Sequence, residues 1–119
     1  RLMLRSEIRM VDLDPTRGSE ANKRRPAVVV SNDGMNTTAA RRRRGVITVI
    51  PLTSNTAHVY PFQVLLDSTA CGLRTTSKAQ AEQVRSVDIG RVGVLVRHVP
   101  DPLMTKIGAA LRLHLALEV

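Results

Sequence analysis

The run Ala27-Val28-Val29-Val30-Ser31, entered through Arg25-Pro26, restricts the fold more than any other stretch of the chain. It is β-branched and unbroken by polar residues until Ser31, so it reads as a strand buried on both faces. Pro26 fixes its own φ and pushes Arg25 toward extended geometry, which makes Arg25 project from the start of a rigid strand. The preceding loop, residues 14–24, is rich in turn formers and carries both charge signs. Gly18 marks a turn there, and Ser19 and Glu20 set a hydroxyl and a carboxylate within a few residues of two arginines. A polar loop pinned to a buried strand is where function tends to sit; the plainer reading is a solvated loop with a surface salt bridge.

Elsewhere the chain is punctuated into short β segments. Glu7 to Leu13, Gly45 to Leu52, Pro61 to Leu66 and Val92 to Val99 read as strands, and Cys71-Gly72-Leu73 reads as a turn. Asn32-Asp33-Gly34 breaks the central run, and residues 36–40 suit a short helical turn. Arg41 to Arg44 cannot enter a core, and they form either a solvated loop or a phosphate contact. Residues 78–87 alternate only weakly and are open between strand and helix. The end is helical: Asp101 is a candidate N-cap, Pro102 suits the first helical position, and Val99 can staple against the helix. Leu103, Ile107, Ala110, Leu111, His114, Leu115 and Leu117 recur at helical spacing, with His114 read as a core-edge histidine. Five or six short strands with helix only at the end predict a mainly β fold, a small barrel with a packing C-terminal α-helix.

The 119 residues fit one domain spanning 1–119, large enough to bury roughly 60–70% of its unfolded surface. The single Cys71 excludes an internal disulfide framework and reads as a small buried or half-buried residue, and no Cys/His cluster offers a zinc site. No apolar stretch is long enough for a membrane span, and the opening residues 1–5 lack a signal-peptide core, so a cytoplasmic protein is expected. The net charge of +8 points to a polyanion or an acidic protein as partner. Aromatic content is 2%, only Tyr60 and Phe62, so base stacking can only be local.

The order of motifs adds more. Glu7-Ile8 with Val11-Asp12-Leu13-Asp14-Pro15, then Gly18-Ser19-Glu20 with Arg25-Pro26, then Val49 to Ser54, Tyr60 to Val64, and Ala81 to Ser86 follow one another over about eighty residues. In this order they resemble the blocks of the MazF/PemK/Kid family of toxin endoribonucleases. The resemblance implies an SH3-like β-barrel of the CcdB/PemK type with a C-terminal helix, and a strand over residues 78–87. It further implies a homodimer, a single-stranded messenger RNA substrate laid across the dimer groove, and a cognate MazE-like antitoxin whose acidic tail covers the same basic surface. No cofactor and no metal are implied.

By the same resemblance Arg25 and Thr53 are the catalytic pair, and Glu82 sits where at least one branch of the family uses a carboxylate as base. Arg17, Ser19, Glu20, Lys23, Arg24, Gln83 and Arg85 are the implied RNA contacts, with Ser19 and Glu20 orienting Arg25 or touching RNA. Taken without the family, Thr53 is a strand-end hydroxyl capping a turn, and Glu82, Gln83 and Arg85 an ordinary solvated face. His58 reads as an exposed loop residue, and no histidine pair offers an acid and a base. Two positions depart from the pattern. Ser6-Glu7-Ile8-Arg9 has Arg9 in place of a large aromatic, removing packing area and a base-stacking surface, and Thr75 to Lys78 lacks an Asp frequent in the family. Besides the endoribonuclease stand three readings that bind without cutting: a CcdB-like gyrase poison, a nucleic-acid-binding barrel, and a catalytically weak toxin.

Overall fold

The β-branched segments pair as their pattern demands. The computed structural model of the chain describes residues 3–117, so the first two residues of the opening segment lie outside the described residues. In chain order it contains strands β1 (Glu7–Asp12) and β2 (Arg24–Val29), helix α1 (Asp33–Arg42), strands β3 (Val46–Thr53) and β4 (Gln63–Leu66) and a one-turn helix α2 (Ser68–Cys71). Strands β5 (Ser77–Gln80), β6 (Arg85–Asp88) and β7 (Val92–His98) follow, then helix α3 (Asp101–His114). One antiparallel sheet runs in the order β4-β5-β3-β2-β1-β7, with β6 pairing the first half of β3. Among the described residues no ladder joins β4 to β7, so the sheet is barrel-like and mainly β, as expected, and is not closed.

Burial on both faces of the central strands divides the core in two. Val28, Val30, Ile50 and Leu52 face one cluster, completed by Val64, Leu66 and Met104, Ile107 and Ala110 of α3. Ala27, Val29, Ile47 and Val49 alternate with them and face a second cluster with Val11, Leu13, Val87 and Ala39 of α1. Period-two alternation in β2 and β3 therefore feeds two cores, with one helix covering each. Helix α3 is stapled at its entry by Val99 and Met104, two buried residues flanking the start.

Several expected details differ. Pro100 occupies the N-cap position without a side-chain bond, so Asp101 and Pro102 are the first two helical residues. His114 is exposed, not core-edge, because the buried stripe of α3 ends at Ala110; Leu115 and Leu117 follow it at 50% and 57% exposure. The turn expected over residues 36–40 is a full helix, capped by the Asn32 side chain accepting from Met35 N–H, and it absorbs Arg41 and Arg42 into its last turn. Buried Asn36 donates to the Ser31 carbonyl at 2.8 Å, which ties α1 to the end of the β2 run. The single strand expected over residues 78–87 is broken by a 3₁₀ turn at Ala81–Gln83 into β5 and β6. Cys71 is buried as expected, and burial, then Asp67 beside it, push its thiol above the usual range. Among the described residues no helix is long and apolar enough to cross a membrane.

Arg9 removes no packing surface. It lies 5% exposed in the barrel wall, with Nε 2.8 Å from the Glu7 carboxylate two residues away on the same strand face. It also donates to the Gly93 carbonyl at 3.1 Å across the β1–β7 ladder. Breaking a buried pair leaves an uncompensated charge, so Arg9→Ala is expected to cost about 3–5 kcal/mol in urea denaturation, and Glu7→Leu with Arg9→Met to recover most of it. An Arg9→Ala loss under 1 kcal/mol contradicts the buried pair.

Candidate active site

One proline opens the site. The β2–β3 ladder runs Val29↔Val49, Val28↔Ile50, Ala27↔Pro51 and stops there. Val30 N–H donates to the Thr48 carbonyl, so positions 30, 28 and 26 turn their backbone polar groups toward β3; Pro26 has no N–H to extend the ladder, and the strands part at the start of β2 and the end of β3. Carrying the register two residues further sets Arg25 opposite Thr53. Residues directly opposite in an antiparallel pair share a face. A cleft of about 340 Å³ occupies the gap, walled by Pro26, Leu52, Leu73 and Val96 and furnished with Arg25, Thr53, Ser54, Arg74, Thr75 and Ser77. Two guanidiniums and four hydroxyls line it, with no carboxylate among them.

Arg25 is held through oxygens that carry no net charge. Its Nε donates to the Asn22 carbonyl at 2.7 Å, one Nη to the Asn22 side-chain Oδ1 at 3.0 Å, and the other to the Leu52 carbonyl at 3.5 Å. Lys23, at φ 66, turns the chain so that Asn22 faces back onto Arg25. Among the described residues no carboxylate lies within ion-pair distance of Arg25, so its charge is left for a ligand. Thr53 Oγ1 accepts from Asn55 N–H at 3.2 Å. This is the turn-capping arrangement read from sequence, and it leaves the hydroxyl proton free to donate into the cleft.

The remaining expected residues divide. Glu20 does not orient Arg25, because its carboxylate accepts from Arg17 N–H at 2.6 Å. Gln83 grips the same loop from both sides: Nε2 donates to the Ser19 carbonyl at 3.0 Å and Oε1 accepts from Ala21 N–H at 2.9 Å. Arg85 donates to the Leu13 carbonyl at 3.2 Å, at the root of that loop. Arg17, Ser19, Lys23 and Arg24 are exposed around it, with Arg24 reaching across β1 toward Gly93. Glu82 is apart from the cleft on the 3₁₀ turn, where Oε2 accepts from Gln63 Nε2 at 2.7 Å and Oε1 is buried without a partner. Among the described residues no group of three or more His, Cys, Asp or Glu is placed to hold a metal ion.

Asn22, Arg74, Thr75 and Ser77 escaped the sequence reading. Asn22, three residues before Arg25, carried the one usable signal, since Asn is suited to bonding within a turn. Arg74, Thr75 and Ser77 reach the cleft only through the β3–β5 pairing Thr53↔Lys78, which no local pattern announces.

Comparison with known proteins adds kinship to geometry. Residues 4–115 match the family described as PemK-like, MazF-like toxin of type II toxin–antitoxin system. Endoribonuclease MazF9 of Mycobacterium tuberculosis is 57% identical over 116 residues, 98% of either chain. Endoribonuclease PemK of Escherichia coli is 35% identical over 108 residues, 88% of this chain and 76% of that one. The crystal structure of MazF from Deinococcus radiodurans superposes with a TM-score of 0.81 over 98% of either chain at 24% identity, which shows a shared fold.

The Gln83 clamp is directly testable. Gln83→Ala removes two loop bonds worth about 1 kcal/mol each, so the Ala21 amide is expected to exchange with solvent at least ~10-fold faster while core amides of β2 keep their rates. Unchanged exchange at Ala21 contradicts the clamp.

Proposed function

This chain belongs to the PemK-like, MazF-like toxin family of type II toxin–antitoxin systems, and from that premise we propose that it is an endoribonuclease that cuts single-stranded messenger RNA without a metal ion. The observation that carries the proposal is the cleft that joins Arg25 to Thr53 and contains donors and cations but no carboxylate. Such a set fits a phosphodiester and repels nothing about it.

RNA brings its own nucleophile. The 2′-oxygen attacks the neighbouring phosphorus, the P–O2′ bond forms as the P–O5′ bond breaks, and the products are a 2′,3′-cyclic phosphate and a 5′-OH. The 2′ proton goes to a base and the departing 5′-oxygen takes one up. Arg25 stabilises the charge building on the phosphorane oxygens and is the proton donor within reach; its fixed guanidinium needs no reorganisation as that charge appears. Thr53 donates its hydroxyl to a non-bridging oxygen. The base role is carried to Glu82 by likeness to the family alone, since its carboxylate does not line the cleft and accepts from Gln63. Arg17, Ser19, Lys23 and Arg24 contact the strand along the exposed loop, while Gln83, Arg85 and Glu20 hold that loop in shape. The partners of this reading are a cognate antitoxin with an acidic tail, for which the net charge of +8 is suited, and a second copy of the chain in a homodimer acting in the cytoplasm.

The test incubates purified protein with long single-stranded RNA in EDTA and maps the ends. Discrete cuts leaving cyclic phosphate are expected, with cleavage reduced at least ~100-fold in Arg25→Ala and Thr53→Ala. Glu82→Gln is expected to lose roughly 10²–10⁴-fold as the base. RNA bound but left whole by the wild type would refute the nuclease and leave a binding protein.

A further inference from the structure

The chain has one tyrosine and one phenylalanine, and the fold places them face to face. Tyr60 and Phe62 stack with ring centroids 5.5 Å apart and planes within 2°. His58 extends the stack at 6.2 Å and 29° from Tyr60. Tyr60 is 50% exposed and His58 is exposed, so this end of the stack is open to solvent.

The geometry points to His58, Tyr60 and Phe62 as a nucleobase-stacking subsite that takes a base of single-stranded RNA next to the bond being cut; it rests on the nuclease reading above. Two features favour a base over other occupants. The platform adjoins the cleft: the loop that carries it leaves β3 directly after Thr53, and Lys78, the ladder partner of Thr53, reaches back to it. Lys78, 7% exposed, sets its Nζ 5.8 Å from the Tyr60 centroid, a buried cation that holds the ring from within the protein. The loop is also pre-shaped. Lys78 Nζ donates to the His58 carbonyl at 2.5 Å, and the Tyr60 backbone is held on both sides, its N–H donating to Gln63 Oε1 at 3.2 Å and its carbonyl accepting from Gln63 N–H at 2.8 Å. Gln63 is itself held by Glu82. Rings fixed before binding lose little freedom when a base docks. Stacking tolerates any base, so this subsite adds affinity and sets how the strand lies without reading its letters.

The protein supplies its own probe. It has no tryptophan, so its intrinsic emission comes from Tyr60 alone. The chain is titrated with a randomised pool of 12-nucleotide 2′-O-methyl RNA, which cannot be cut, in wild type, Tyr60→Phe and Tyr60→Ala forms, with affinity read by anisotropy of a labelled pool. Quenching of tyrosine emission at saturation, a roughly 5- to 150-fold weaker affinity in Tyr60→Ala and near wild-type affinity in Tyr60→Phe are expected. Tight binding with unchanged emission, or equal affinity in Tyr60→Ala, overturns the subsite, as does failure of the wild type to bind. A parallel incubation with cuttable RNA separates the two ideas: quenching and weakened Tyr60→Ala binding without cleavage would sink the nuclease and keep the platform.

Discussion

One missing hydrogen-bond donor sets the opening of the site. Pro26 lies where β2 and β3 would otherwise continue to pair, and without its N–H the ladder ends at Ala27↔Pro51. The placing of Arg25 and Thr53 follows from that ending. The strands stay close enough to keep Arg25 and Thr53 opposite one another, yet open enough for the cleft that both line. Pairing further along β3, with β5, delivers Thr75 and Ser77 to the other wall. A register fixed by two buried faces leaves no slack, because a slip of one residue would turn Val28 and Ile50 out of their core.

Charge placement completes the design. Carboxylates near the cationic loop are occupied by backbone N–H groups, Glu20 by Arg17 and Asp14 by Lys23, and so do not neutralise Arg25. Glu7 spends its charge on Arg9 inside the wall. Arg25 meets only carbonyl oxygens, which orient a guanidinium while leaving its charge in place. The Gln83 grip on Ser19 and Ala21 holds the residues next to Asn22, so the posture of Arg25 depends on a side chain in the distant 3₁₀ turn.

Much of this was legible in the sequence, for identifiable reasons. The strand from residue 27 and the stapled helix follow from local chemistry, a β-branched run and a proline-led start with Val99 before it. The pairing of Arg25 with Thr53 came from motif order, which stands in for a register that residue patterns alone do not give. What stayed hidden depends on tertiary contact. The break at Ala81–Gln83 carries no proline or glycine to announce it, and the burial of Arg9 required Glu7 on the same strand face. Arg74 is an exposed loop arginine until the fold places it at the cleft.

The most direct measurement is a crystal structure of the chain with a short RNA carrying a 2′-deoxy nucleotide at the cut position, mapped beforehand on cuttable RNA. A scissile phosphate between the two strand ends, its oxygens about 3 Å from the Arg25 guanidinium and from Thr53 Oγ1, is the predicted result. An empty cleft, with the phosphate seated elsewhere on the basic surface such as the exposed Arg41 to Arg44 run, would contradict it.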